Sequence, residues 1–224
     1  MNKAEAGFIR SAGLALLVAF AIHIVANSVV KVVPPVDPTL SELQVYLEAE
    51  RDSWALVHGM RFAAVAGLAL FYSGLMARFR LRNRPNSGGW EYCGFTGGLL
   101  HISILFIANS IETFAFLGFH FLADNPELFW SVYYSTRVLF NAEILAWAIA
   151  ILGFSLAGWF SGALPRWISI LGFVASPLGL ISGIFVAASM LGNSWISPVD
   201  AVAAPASLLW FLSTGFWLMW RGYK

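Results

Sequence analysis

Six long stretches of the chain carry almost only apolar side chains, and short polar segments separate them. They fall at about 11–30, 54–77, 93–117, 131–157, 168–190 and 202–220. An α-helix rises about 1.5 Å per residue, so about 20 apolar residues cross the roughly 30 Å hydrocarbon layer of a bilayer. The pattern predicts an all-α polytopic membrane protein with six transmembrane helices, organised as a single membrane domain over 1–224. Lys3 and Arg10 precede the first run, as in a signal peptide. That run is long, however, and no clean small-x-small site follows it, so it reads as a retained helix.

The first polar segment has a pattern of its own. Pro34, Pro35 and Pro38 break the chain, and Thr39 with Glu42 then makes a T-x-x-E capping box. Leu40, Leu43 and Leu47 follow at helical spacing. This predicts a short amphipathic helix on the outer membrane face, acting either as a lid or as a connector with an apolar underside. The stretch Asn86-Ser87-Gly88-Gly89 reads as a flexible turn. In the fifth run, Gly179-x-x-x-Gly183 offers a face for close helix approach.

Composition narrows the class. The chain is 59% hydrophobic and 11% charged, with mean hydropathy +0.74, which excludes a disordered chain and an ordinary soluble domain. Aromatic residues make up 16%, enough for interfacial belts and helix packing, or for a pocket holding a flat or isoprenoid ligand. A net charge of +1 gives no footprint for nucleic acid. Cys93 stands alone, which excludes an intrachain disulfide.

The loop charges are asymmetric. Lys3, Arg10, Arg78, Arg80, Arg82, Arg84, Arg166, Arg221 and Lys224 fall on one side. On the other, Lys31 and Arg51 are outnumbered by Asp37, Glu42, Glu48, Glu50, Asp52, Asp124 and Glu127. The positive-inside rule then puts both termini in the cytoplasm, in what we expect to be a bacterial cytoplasmic membrane.

Against this background the polar residues inside the runs matter most. A charge at mid-bilayer costs about 2.5–3.5 kcal/mol on insertion scales, so such residues face a protein interior and mark a site. His23 and Asn27 share a helix face at i,i+4, and His58 and Arg61 at i,i+3. His101, Asn109 and Glu112 recur on one face of the third run. Arg137 and Asn141 are again i,i+4, with Tyr134 one turn away. Most of these positions share one depth in the outer half, which predicts a polar chamber among the first four spans. Glu112 is expected to pair with Arg61, Arg137 or both. Ligand-binding candidates are Arg61, Arg137, Asn27, Asn109, Asn141 and Tyr134. Acid–base candidates are His58, His23 and Glu112. His101 and Glu143 form a deeper layer, a candidate proton relay. Haem enters as a candidate cofactor because His23 and His58 lie on different helices at nearly matching depth. His101 lies deeper and His120 shallower. No spacing places several metal ligands on one helix.

The segment Leu164-Pro165-Arg166-Trp167-Ile168-Ser169-Ile170-Leu171-Gly172 resembles one that precedes the fifth helix in a bacterial family of uncharacterised six-span integral membrane proteins. The ending, with Trp217, Arg221 and Gly222, is also similar, as is the short basic loop before a Gly-rich third span. That family often has an acidic residue early in its last helix, where this chain has Ala203-Ala204-Pro205-Ala206. The resemblance implies the six-span topology and no particular activity.

Together these features lead to an expected function: binding, with conversion as a further option, of an amphipathic ligand such as a quinone, isoprenoid or lipid. Rival readings are a haem-bearing or redox membrane subunit, a proton-coupled transporter, and a non-catalytic subunit or assembly factor. Expected partners are membrane lipids, the ligand, and a second copy or another membrane subunit.

Overall fold

The computed structural model describes residues 3–29, 39–82, 88–118, 125–185 and 197–221. Among them are seven helices and no strand. They are α1 (Lys3–Val29), α2 (Leu40–Ala49), α3 (Arg51–Arg82), α4 (Trp90–Leu117), α5 (Pro126–Ser161), α6 (Arg166–Ile184) and α7 (Ser197–Arg221). All except α2 are long and apolar enough to cross a membrane.

Most of the long helices outrun the apolar stretches that signal them, because polar residues at each end continue the helix beyond the greasy part. α3 takes in Arg51 and Asp52 at one end and Arg78 through Arg82 at the other. α6 is the exception. It closes at Ile184, where the Phe185 N–H donates to the Ile181 carbonyl at 3.0 Å, and residues 186–190 of the predicted span lie outside the described residues.

Each spanning helix packs on its neighbour in sequence, and α7 returns to α1, so the six form a closed ring. Lipid tails are as apolar as leucine, so helices in a bilayer associate by close packing over small residues. Gly67 of α3 lies against Ala15 and Ala19 of α1, and Gly97 of α4 against Ala146 and Ala150 of α5. A Cβ at Gly97 would stand 2.6 Å from the Ala150 backbone nitrogen. Gly179 and Gly183 bring α6 onto Ala148, Trp147 and Leu145 of α5, the use that their spacing predicts.

Two separate apolar cores result. The larger one joins α1, α3, α5, α6 and α7 through residues such as Leu16, Phe71, Tyr72, Phe154 and Trp210. The smaller one lies at the opposite end of the bundle, beneath α2. There Leu43, Tyr46 and Leu47 pack with Trp54, Val57, Phe116 and Phe129. The capping box forms as its sequence predicts. Thr39 N–H donates to Glu42 Oε2 at 2.8 Å, and Glu42 N–H donates to Thr39 Oγ1 at 3.3 Å. The hydrogen bond from the Thr39 N–H holds the Glu42 carboxyl below its usual pKa range, and burial raises the Tyr46 phenol. The polar layer lies between the two cores.

Candidate functional site: a polar layer across four helices

The glycine contacts set the register of the layer. Gly67 meets Ala15 and Ala19, so Arg61, six residues along α3, comes level with the region of His23 on antiparallel α1. Gly98 lies against the Tyr72 ring, so eleven residues along each helix Asn109 comes level with Arg61. Gly97 meets Ala146 and Ala150, and twelve residues further on Asn109 comes level with the region of Arg137.

An ion pair forms the centre. Arg61 Nη1 donates to Glu112 Oε2 at 2.6 Å, and Glu112 is buried. Arg61 is also within Coulombic reach of His23, His58 and Glu143, and Arg137 is within reach of Glu112. The layer therefore joins α1, α3, α4 and α5 electrostatically.

His58 is 1% exposed, with its ring 5.7 Å from that of Trp54 and 6.1 Å from that of Phe116. Neither of its ring nitrogens has a hydrogen-bond partner among the described residues. The same holds for both side-chain atoms of Asn109, also 1% exposed, and for Nε of Arg61. Asn109 does accept through its backbone, from Thr113 Oγ1 at 2.6 Å.

Other candidates lie at the margin. Arg137 is exposed; its Nη2 donates to the Tyr133 hydroxyl at 2.7 Å, and the guanidinium lies 5.0 Å over that ring. It makes no ion pair among the described residues. Tyr133, not Tyr134, is its local partner, and Tyr134 is 54% exposed. Asn141 is half-buried and donates to the Arg137 carbonyl at 2.8 Å, a bond within its own helix. His23 is exposed. The Asn27 side chain and all of His120 lie outside the described residues.

The deeper pair acquires a third member. His101 is buried, with Nε2 3.9 Å from Glu143 Oε1 and Nδ1 2.8 Å from the Tyr72 hydroxyl. Tyr72 is fully buried. Its ring fits against α4 because residue 98 is glycine, where a Cβ would stand 2.7 Å from the ring. The available signal in the sequence was this tyrosine itself, since a phenol deep in an apolar span must find a partner.

Chemically the layer offers guanidinium donors from two helices, one carboxylate, an uncommitted imidazole and an uncommitted amide. That set suits an anionic or carbonyl group. No group of three or more His, Cys, Asp or Glu side chains gathers among the described residues in a way that would hold a metal.

Fold and composition together define an all-α polytopic integral membrane protein with charged side chains buried inside its bundle. No family model, curated protein or solved structure matches the chain.

Proposed function

We propose that the layer is a chamber for an amphipathic molecule with a carbonyl or anionic head and an apolar tail, the class that includes quinones, isoprenoids and lipids. One observation carries this reading: the polar side chains around the Arg61–Glu112 pair have more donors and acceptors than the described residues satisfy. Burying an amide or hydroxyl unpaired costs about 1–3 kcal/mol on mutational scales, and structures rarely leave such groups alone. An ion pair that served only to lock two helices would not require His58 and Asn109 beside it with their polar atoms unspent. The head would sit on Arg61 and Arg137, with Glu112 as counter-ion and His58 and His23 as acid–base groups. Apolar side chains would take the tail, and α2 would cover the entrance from the outer face. The loop charges support this orientation, with both termini cytoplasmic.

The test is extraction of organic molecules from the purified protein, with quantitative mass spectrometry. Wild type is expected to carry one amphipathic species near stoichiometry. Asn109→Leu and Arg137→Gln, which leave the Arg61–Glu112 pair intact, are expected to lose most of it while keeping the melting temperature. No species enriched over bulk lipid in wild type, or full retention in both variants, would overturn the proposal.

A further inference from the structure

A second concavity lies at the end of the bundle away from α2, between the start of α6 and the end of α7. We propose that it binds the headgroup of an anionic phospholipid. This site stands apart from the polar layer and goes beyond the chamber reading.

Trp167, Ser213, Phe216, Trp217, Trp220 and Arg221 line a groove of about 600 Å³. That volume falls within the roughly 300–1,000 Å³ of small-molecule sites. Helical spacing builds its walls. On α7, Ser213, Phe216, Trp217 and Trp220 recur at steps of three and four residues, so they share one face. Leu209, one turn back from Ser213, continues that face and is exposed. On α6, Trp167 begins an exposed apolar stripe that runs on through Ile170 and Val174. The groove therefore opens onto two apolar faces suited to acyl chains.

Its charge is positive. Arg221 closes α7 and is exposed, and its side chain makes no ion pair or hydrogen bond among the described residues. A guanidinium has five N–H donors in a planar fork that matches two phosphate oxygens. Behind the groove, the buried Arg78 guanidinium lies 5.3 Å over the Trp217 ring, so a second cation backs the same tryptophan. Arg166, next to Trp167 in sequence, turns instead onto Trp159 at 5.6 Å. No acidic side chain lines the groove.

The combination selects the occupant. Tryptophan collects at the headgroup level of a bilayer, where its ring is in apolar surroundings and its N–H is not, and a cation at that depth attracts anionic lipid. Trp220, 73% exposed, and Trp167 flank the groove in that manner. A soluble anion would use the charge and leave the aromatic walls without a partner. A second copy of the chain, docked face to face, would set its own Arg221 against this one. A phospholipid uses both features: its phosphate meets Arg221 and the Ser213 hydroxyl, and its chains follow Ile170, Val174 and Leu209.

Native mass spectrometry of the purified protein, with phosphatidylglycerol and phosphatidylcholine of matched chains added to the detergent, tests the proposal. Wild type should retain phosphatidylglycerol over phosphatidylcholine by on the order of tenfold. Arg221→Gln should lower that preference about fivefold, the effect of one arginine at a membrane surface. Ser213→Trp, which fills the groove and keeps the charge, should lower it as much. Arg80→Gln removes an exposed arginine from the same end and should stay within about twofold of wild type. Asn109→Leu, in the polar layer, should also leave the preference intact, which separates this site from the chamber. If Ser213→Trp does not fold, the comparison of Arg221→Gln with Arg80→Gln decides. Equal retention of the two lipids by wild type, equal losses in the two arginine variants, or loss of the preference in Asn109→Leu would each overturn the proposal. So would a stable dimer that Ser213→Trp disrupts, which would assign the groove to a second copy.

Discussion

The two ends of the bundle differ in the polar groups they bury. In the large core away from α2, three buried hydroxyls bond within their own helix: Ser161 to the Ala157 carbonyl at 2.6 Å, Ser176 to Gly172 and Thr214 to Trp210, both at 2.7 Å. Among the described residues the hydroxyls of Ser155, Ser169 and Ser207 and the indole N–H groups of Trp147 and Trp210 have no hydrogen-bond partner there, and a buried guanidinium, that of Arg78, lies 5.3 Å over the Trp217 ring. In the layer toward α2 the groups are a part-buried guanidinium and a buried carboxylate, imidazole and amide. Such side chains are too large or too rich in donors to be satisfied by a carbonyl one turn back, so they must find partners on another helix or on a bound molecule. The first end is built for packing. The second sets side chains with hydrogen-bonding capacity to spare beside an ion pair.

Substitutions can break that contrast, beginning with the largest effect. Gly97→Leu drives a side chain into the α5 backbone and should prevent folding, a loss of more than about 4 kcal/mol, read as the absence of a monodisperse species in detergent. Glu112→Gln should cost about 3–5 kcal/mol in detergent unfolding because it strands Arg61 in a buried site. Glu143→Gln should cost less, since no ion pair as short holds it. Equal losses for the two would mean that Glu112 is not the anchor of the layer. Thr39→Ala removes the α2 cap and should cost about 1 kcal/mol locally, read as faster proteolysis between residues 39 and 50. The same segment should loosen in acid. The folded Glu42 pKa is lowered, so its contribution is complete above the usual carboxylate range and is lost as pH falls through the lowered value. The smallest effect belongs to Gly59 of α3, where nothing stands within 4 Å of an added Cβ. Gly59→Ala should be neutral or stabilise by up to about 1 kcal/mol, against the failure of Gly97→Leu.

Much of this was legible in the sequence, and the omissions have physical causes. Hydropathy finds six helices because the bilayer sets a minimum apolar length. The described part of α6 closes at Ile184, and residues 186–190 of the predicted span lie outside the described residues. The capping box of α2 is local, so Thr39 and Glu42 suffice to read it. His58 with Arg61, and Asn109 with Glu112, were recognisable as polar stripes because a stripe depends only on spacing within one helix. The partner of Arg137 was not. Tyr133 and Tyr134 differ by about 100° around the helix, and only tertiary packing shows which one the guanidinium meets. Tyr72 was hidden for the same reason: its partner lies 29 residues away, on another helix, and depends on a glycine at 98.

The central claim is that the polar layer is a ligand site rather than a structural ion cluster, and the most direct test is an experimental density map of the protein purified in mild detergent. The account predicts an elongated density that places its polar end within hydrogen-bond distance of Arg61 and Asn109 and its tail between apolar helix faces. A map in which protein atoms alone saturate Arg61 Nε, His58 and Asn109, with Arg137 directed to the lipid, would contradict it.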